Sequence, residues 1–192
     1  AGNACPCAAK AVLSRPMTLH AAPPEQQPSP SRLTAFALAH PVWVIVALVL
    51  VQHLPLIWVR GLWWSDEVRH GGVLADLTGQ GHLWALTLNG QPYNDKPPLY
   101  FWYLAGIQAL VGPGAVAFFT GLAGTVLAYA LATWHLALRL GLDRSRALGA
   151  VGVLLSGSYM LGASHYARMD FLFATAILLA WGSFHAATAK PQ

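Results

Sequence analysis

Four long stretches of the chain carry no charged residue: between Arg32 and Arg60, between Lys96 and Arg139, between Arg146 and Arg168, and between Asp170 and Lys190. A helix rises about 1.5 Å per residue, so about 20 apolar residues cross a hydrocarbon layer about 30 Å thick. Each stretch is long enough to hold such a span. Soluble helices keep one polar face, and these stretches have none. The pattern predicts a first membrane helix over residues 37–59, with Trp58, Trp63 and Trp64 at its outer interface as an aromatic belt. Further apolar segments follow at 97–111, 115–138, 148–166 and 171–189.

The polar intervals arrange these segments. Residues 60–96 form a loop outside the bilayer, with a short amphipathic helix over 66–78 that Ser65 can cap and that opens on Asp66 and Glu67. Gly79, Gly81, Asn89-Gly90 and Pro92 then break the chain into turns. Arg139, Arg144 and Arg146 are the densest basic cluster, and the positive-inside rule places them in the cytoplasm. One crossing then separates the loop from that cluster, and 115–138 is the longer candidate. The 97–111 segment starts after two prolines and ends at Gly112-Pro113-Gly114, which suits an interfacial or re-entrant helix. Residues 148–166 return outward and 171–189 come back in. The expected architecture is an all-α polytopic bundle of about four crossings plus interfacial helices, favoured over five crossings.

Composition agrees with a membrane domain over residues 37–190. Of the 192 residues, 56% are hydrophobic and 9% charged, whereas a soluble domain carries about 25% charged residues. Residues 1–36, with Pro23, Pro24, Pro28 and Pro30, read as a disordered cytoplasmic tail. Met17 is a natural start, which would make residues 1–16 upstream read-through, and no small-residue cleavage site marks a signal peptide. The net charge of +4 comes without a basic run, so nucleic acid is not an expected partner. Cys5 and Cys7 lack the second pair that a zinc site needs. The eight histidines show no metal-ligand spacing, and a site joining His70 or His82 to a carboxylate has little to support it.

On this topology Asp66, Glu67, Asp95, Asp170, Arg69, Lys96 and Arg168 collect at one membrane face, the outer one. Charges kept beside a bilayer tend to line substrate paths. A carboxylate of Asp66-Glu67 at the mouth of the bundle can serve as general base toward an arriving hydroxyl or amine. It can equally be an ordinary helix start with an Asp66–Arg69 pair. Lys96, fixed by Pro97-Pro98, sits where a phosphate headgroup would lie, or snorkels like any interfacial lysine. Asp170 with Arg168 carries the same two readings. Asp76 and Arg60 read as solvated interfacial charges.

The run Asp66-Glu67-Val68-Arg69, followed by Asn89-Gly90-Gln91-Pro92-Tyr93-Asn94-Asp95-Lys96-Pro97-Pro98-Leu99-Tyr100-Phe101-Trp102, resembles the first outer loop of bacterial aminoarabinose transferases acting on lipid A. That group is related to the dolichyl-phosphate-mannose protein mannosyltransferases. Ala167-Arg168-Met169-Asp170 resembles its second acidic motif, and the likeness spans about residues 40–189. The resemblance implies the N-terminal part of a GT-C fold, a polyprenyl-phosphate-sugar donor, a lipid, glycan or protein acceptor, and a bacterial inner-membrane location. By position it makes Asp66 the catalytic acid of the first loop, with Glu67 beside it, and Asp170 the second. Lys96 and Arg69, helped by Arg168, would hold the donor phosphate. The cofactor stays open, a divalent metal included. Where relatives often carry Glu before the lysine this chain has the shorter Asp95, which puts a metal role there in doubt. Such enzymes carry roughly a dozen helices, so the chain is expected to be an incomplete piece, inactive alone.

The expected reaction is an inverting sugar transfer in which polyprenyl phosphate leaves. The competing expectation is a non-enzymatic membrane protein, a lipid-binding, transporter or assembly subunit. Coupled transport calls for acids or bases within the spans, and no Asp, Glu, Lys or Arg falls inside any proposed span.

Overall fold

A computed structural model describes residues 31–80 and 83–188. Ser31 opens the first helix, α1 (Arg32–Ala39), by accepting from the Thr34 amide at 3.2 Å. The chain breaks at His40 and resumes as α2 (Pro41–Val59), with proline in the first turn, where its missing N–H costs nothing. The helix expected at residue 37 thus starts at Arg32 and is split in two, taking in residues 32–36 of the expected tail. Residues 1–30 lie outside the described residues, as do His82 and the 189–192 end.

The loop between spans holds α3 (Ser65–Gln80), a two-stranded antiparallel hairpin, β1 (Thr87–Leu88) and β2 (Gln91–Pro92), and α4 (Leu99–Val111). Asn89 and Gly90 join the strands with φ of 54° and 74°, the double left-handed turn that matches strand twist. The hairpin corrects the purely α-helical expectation, which saw only turns here. Its cause is local: Asn-Gly is among the few pairs that adopt this turn without strain. Ser65 is the first helical residue rather than the cap.

α5 (Ala115–Arg139) is the centre of the bundle and packs against α2, α4, α6 (Arg144–Ser156) and α8 (Asp170–Thr188). Its buried positions include Ala117, Gly121, Ala130, Ala132 and Ala137. Small residues let helix backbones approach where lipid supplies no hydrophobic drive between helices. α2 buries Ile45, Val49, His53 and Ile57, a stride of four that selects one face. Most of the remaining α2 side chains are apolar as well, and Trp43, Val51, Trp58 and Val59 are exposed.

The segment expected as one helix over 148–166 is two, α6 and α7 (Ser158–Ser164), bent by 68° at Gly157. Side chains of α2 hold the bend. Gln52 Nε2 donates to the Leu155 carbonyl at 3.2 Å, and His53 Nε2 lies 2.9 Å from the Ser164 carbonyl. Three helices, α2, α5 and α8, are long and apolar enough to cross a membrane, and a fourth span results if α6 and α7 count as one. α4, with 13 residues, is short for a crossing.

Candidate functional site

Neighbouring residues on a helix point about 100° apart, so Asp66 and Glu67 at the start of α3 cannot face the same way. Asp66 points outward, 37% exposed, and its Oδ1 accepts from Arg69 Nη2 at 2.8 Å. Glu67 points inward and is fully buried. Its Oε2 accepts from Arg60 Nη2 at 3.0 Å and from the Trp63 and Trp64 amides at 3.4 Å each. Its Oε1 accepts from the amide of Ala167 at 3.0 Å, a contact between residues one hundred apart in the chain. Arg60 Nη1 also donates to the His165 carbonyl.

This contact draws the 165–169 segment against α3. The Tyr166 phenol is pushed above its ordinary 10.0, first by burial and then by the Asp66 charge. Trp64 meets the Tyr166 ring edge-on at 5.9 Å, and the Arg168 guanidinium lies 5.4 Å from that ring's centre. Arg168 Nε is 2.9 Å from Asp170 Oδ2, both groups substantially exposed. Asp66, Arg69, Arg168 and Asp170 therefore come together around Tyr166.

Lys96 is half-buried on the same side and makes no ion pair among the described residues. Its charge acts on His70, which lies on the buried face of α3 and packs edge-on against the Tyr100 and Phe101 rings. Burial lowers the proton affinity of His70; the Asp66 charge opposes that, and the charges of Lys96 and Arg69 reinforce it. The Tyr100 phenol is raised by burial and, among smaller causes, by the charges of Glu67 and Asp170. The charges of Asp66, Arg69 and Lys96 thus all act on His70, which packs on the buried Tyr100 and Phe101 rings.

Asp95 is exposed, and among the described residues no three His, Cys, Asp or Glu side chains cluster closely enough for a metal ion. A lone exposed carboxylate does not fit a resident divalent cation, which takes several oxygen ligands. Two residues read as solvated charges prove to be built in. Arg60 braces Glu67 and lies 5.2 Å from the Phe119 ring centre. Asp76 Oδ2 accepts from Thr87 Oγ1 and from the Gly90 amide, each at 3.0 Å, so it holds the hairpin on α3. Neither role has a sequence signal, because both partners arrive through the fold.

A cavity of about 840 Å³ lies between α2, α5, α6, α7 and α8. Leu56, Tyr129, Leu154, Met160 and Phe171 give it apolar walls, and Arg60, Arg168 and Asp170 add charge to its lining.

Three known proteins are similar to this chain, and all bear one activity in their names. An undecaprenyl phosphate-alpha-4-amino-4-deoxy-L-arabinose arabinosyl transferase of Pseudomonas savastanoi pv. phaseolicola is 29% identical over 133 residues, covering 66% of this chain and 24% of that protein. A second transferase so named, from Sodalis glossinidius, is 26% identical over 148 residues, 77% of this chain and 27% of its own length. A third, from Pseudomonas fluorescens, is 29% identical over 159 residues, 78% and 28% of the two chains. The chain thus spans about a quarter of the length of these relatives. No protein-family model matches it, and no solved structure does.

Proposed function

We propose that this chain carries the donor-facing part of a membrane glycosyltransferase that moves a sugar from polyprenyl phosphate to an acceptor at the extracytoplasmic face. The observation that carries the reading is the Glu67–Ala167 contact, which brings the motif with Asp66 and Arg69 against the motif with Arg168 and Asp170, from segments one hundred residues apart. The similar transferases support the lipid-linked donor. The cavity adds room for a lipid chain, since its lining joins apolar side chains to Arg168 and Asp170.

In this reading an acceptor hydroxyl or amine attacks the anomeric carbon of the bound sugar. Asp66, partly exposed, takes the proton that the acceptor loses. The bond from the anomeric carbon to the phosphate oxygen breaks with inversion, and polyprenyl phosphate departs with the bonding pair. Lys96, unpaired among the described residues, meets that charge first, with Arg69 and Arg168 in support. Asp170 holds Arg168 in place and serves as the second acid of the site. The acceptor is a lipid, a glycan or a protein.

The test is transfer from a polyprenyl-phosphate sugar by the protein as its gene encodes it, in bacterial membranes. Asp66→Asn and Lys96→Ala should each abolish transfer while the protein's abundance stays at the parent level. Full activity in both variants would end the assignment.

A further inference from the structure

We infer that Glu67 is a positioning residue: its buried carboxylate ties the loop bearing Asp66 to the loop bearing Arg168 and Asp170, and it exchanges no proton with substrate. The inference rests on the transferase reading only for its activity arm; its structural arm stands alone. Asp66 and Glu67 are adjacent carboxylates of one type, yet the helix sends one outward and the other into the protein. A general base must reach the proton it removes. Glu67 has no exposed surface, and its oxygens are occupied by four donors from three places in the chain.

Those places are what the two motifs need held together. Arg60 ends α2, the Trp63 and Trp64 amides lead into α3, and the Ala167 amide lies three residues before Asp170. Arg60 doubles the tie by donating to the His165 carbonyl. A buried ion pair is costly to break from one side, because the remaining charge loses its partner in a low-dielectric setting. Asp in place of Glu would be one methylene short of Ala167. Gln would keep one acceptor oxygen but turn an NH₂ toward donors.

The experiment combines hydrogen exchange with transfer kinetics on the protein as its gene encodes it, in detergent micelles. In Glu67→Ala, amide exchange in the peptide spanning 165–170 should accelerate about 10- to 100-fold, while peptides from α5 and α8 exchange as in the parent. In Glu67→Gln the same peptide should change less. Transfer should fall in kcat with KM and the acidic limb of the pH profile as in the parent, whereas Asp66→Asn abolishes transfer. If Glu67→Ala does not fold, Arg60→Met with Glu67→Gln, which removes both charges, provides the exchange comparison. Unchanged exchange at 165–170 in a folded variant overturns the inference, as does an acidic pH limb in Glu67→Gln displaced from that of the parent. Accelerated exchange without any transfer by the parent would sink the transferase reading and leave this one standing.

Discussion

Arg69 lies one helical turn beyond Asp66 and donates to its carboxylate at 2.8 Å, with both side chains more than a third exposed. Exposed pairs of this kind contribute about 0–1 kcal/mol, so the pair does little for the fold. Its value lies in where it puts a cation. Arg69→Ala should leave the melting temperature nearly unchanged. It should lower transfer about 10²-fold, the size of effect seen when a preorganised charge donor is removed. A thermal melt and a transfer assay on one preparation check both halves, and a large loss of stability would make Arg69 a structural residue instead.

Asp76 gives a prediction about the hairpin. Its Oδ2 alone receives both the Thr87 hydroxyl and the Gly90 amide. Asp76→Ala leaves those donors without their acceptor and should cost about 1–3 kcal/mol. The loss should be local, with faster amide exchange over 87–92 and little change in the spans. Asp76→Asn, which keeps an acceptor oxygen, should lose much less.

The spans were legible because charge is expensive in lipid, so the gaps between charged residues mark them directly. The short α4 was legible from Pro97-Pro98 and Gly112-Pro113-Gly114 for the same local reason. The bend at Gly157 was not. Ser156 to Ser158 are small, polar or flexible residues common in membrane helices, and what holds the bend is Gln52 and His53, a hundred residues away. Nor could the buried face of α2 be read, since its lipid-facing side is as apolar as its packed side. At the site, Asp66 and Glu67 looked alike in sequence. Their opposite directions depend on where α3 begins and on Arg60 and Ala167 arriving to occupy Glu67.

His70 makes a pH prediction. Burial lowers its proton affinity below the ordinary 6.5, so in the folded protein it stays neutral to lower pH than in the unfolded chain. The unfolded chain therefore binds the extra proton as pH falls through 6.5. Stability from this group is complete above 6.5 and is lost on acidification below it. His70→Phe, which keeps a ring beside Tyr100 and Phe101, should flatten this part of the dependence. Between about pH 7.5 and pH 5 the melting temperature of the parent should fall relative to that of the variant, and parallel curves would contradict it.

The α4–α5 contact supplies a packing prediction. Tyr103 donates its hydroxyl proton to the Gly121 carbonyl at 2.8 Å. A methyl group added at Gly124 would collide with that hydroxyl, and one at Gly121 with the Leu104 side chain. Either Gly→Ala change overpacks the contact and should cost about 1–3 kcal/mol. Gly106→Ala on α4 meets nothing within 4 Å and should be neutral or slightly stabilising. Comparing the three melts isolates crowding from helix propensity, because only the first two variants add a clash.

Sidedness is the prediction with the widest reach, because a shared pocket requires Asp66 and Asp170 on one side of the membrane. Between them the chain passes through α5 once and through the bent α6–α7 unit once if that unit spans. Two passes return the chain to the side it left. The turn joining α5 to α6 at Gly141 then lies opposite, beside Arg139, Arg144 and Arg146, where the positive-inside rule expects the cytoplasm. Cysteines placed singly at Ser65, Gly141 and Met169, with Cys5 and Cys7 replaced, should report this arrangement. A membrane-impermeant thiol reagent added to intact cells should label positions 65 and 169 and spare 141. Labelling of 141 together with 65 would mean that the chain does not cross between them, while labelling of 65 without 169 would separate the two acidic motifs and remove the proposed site.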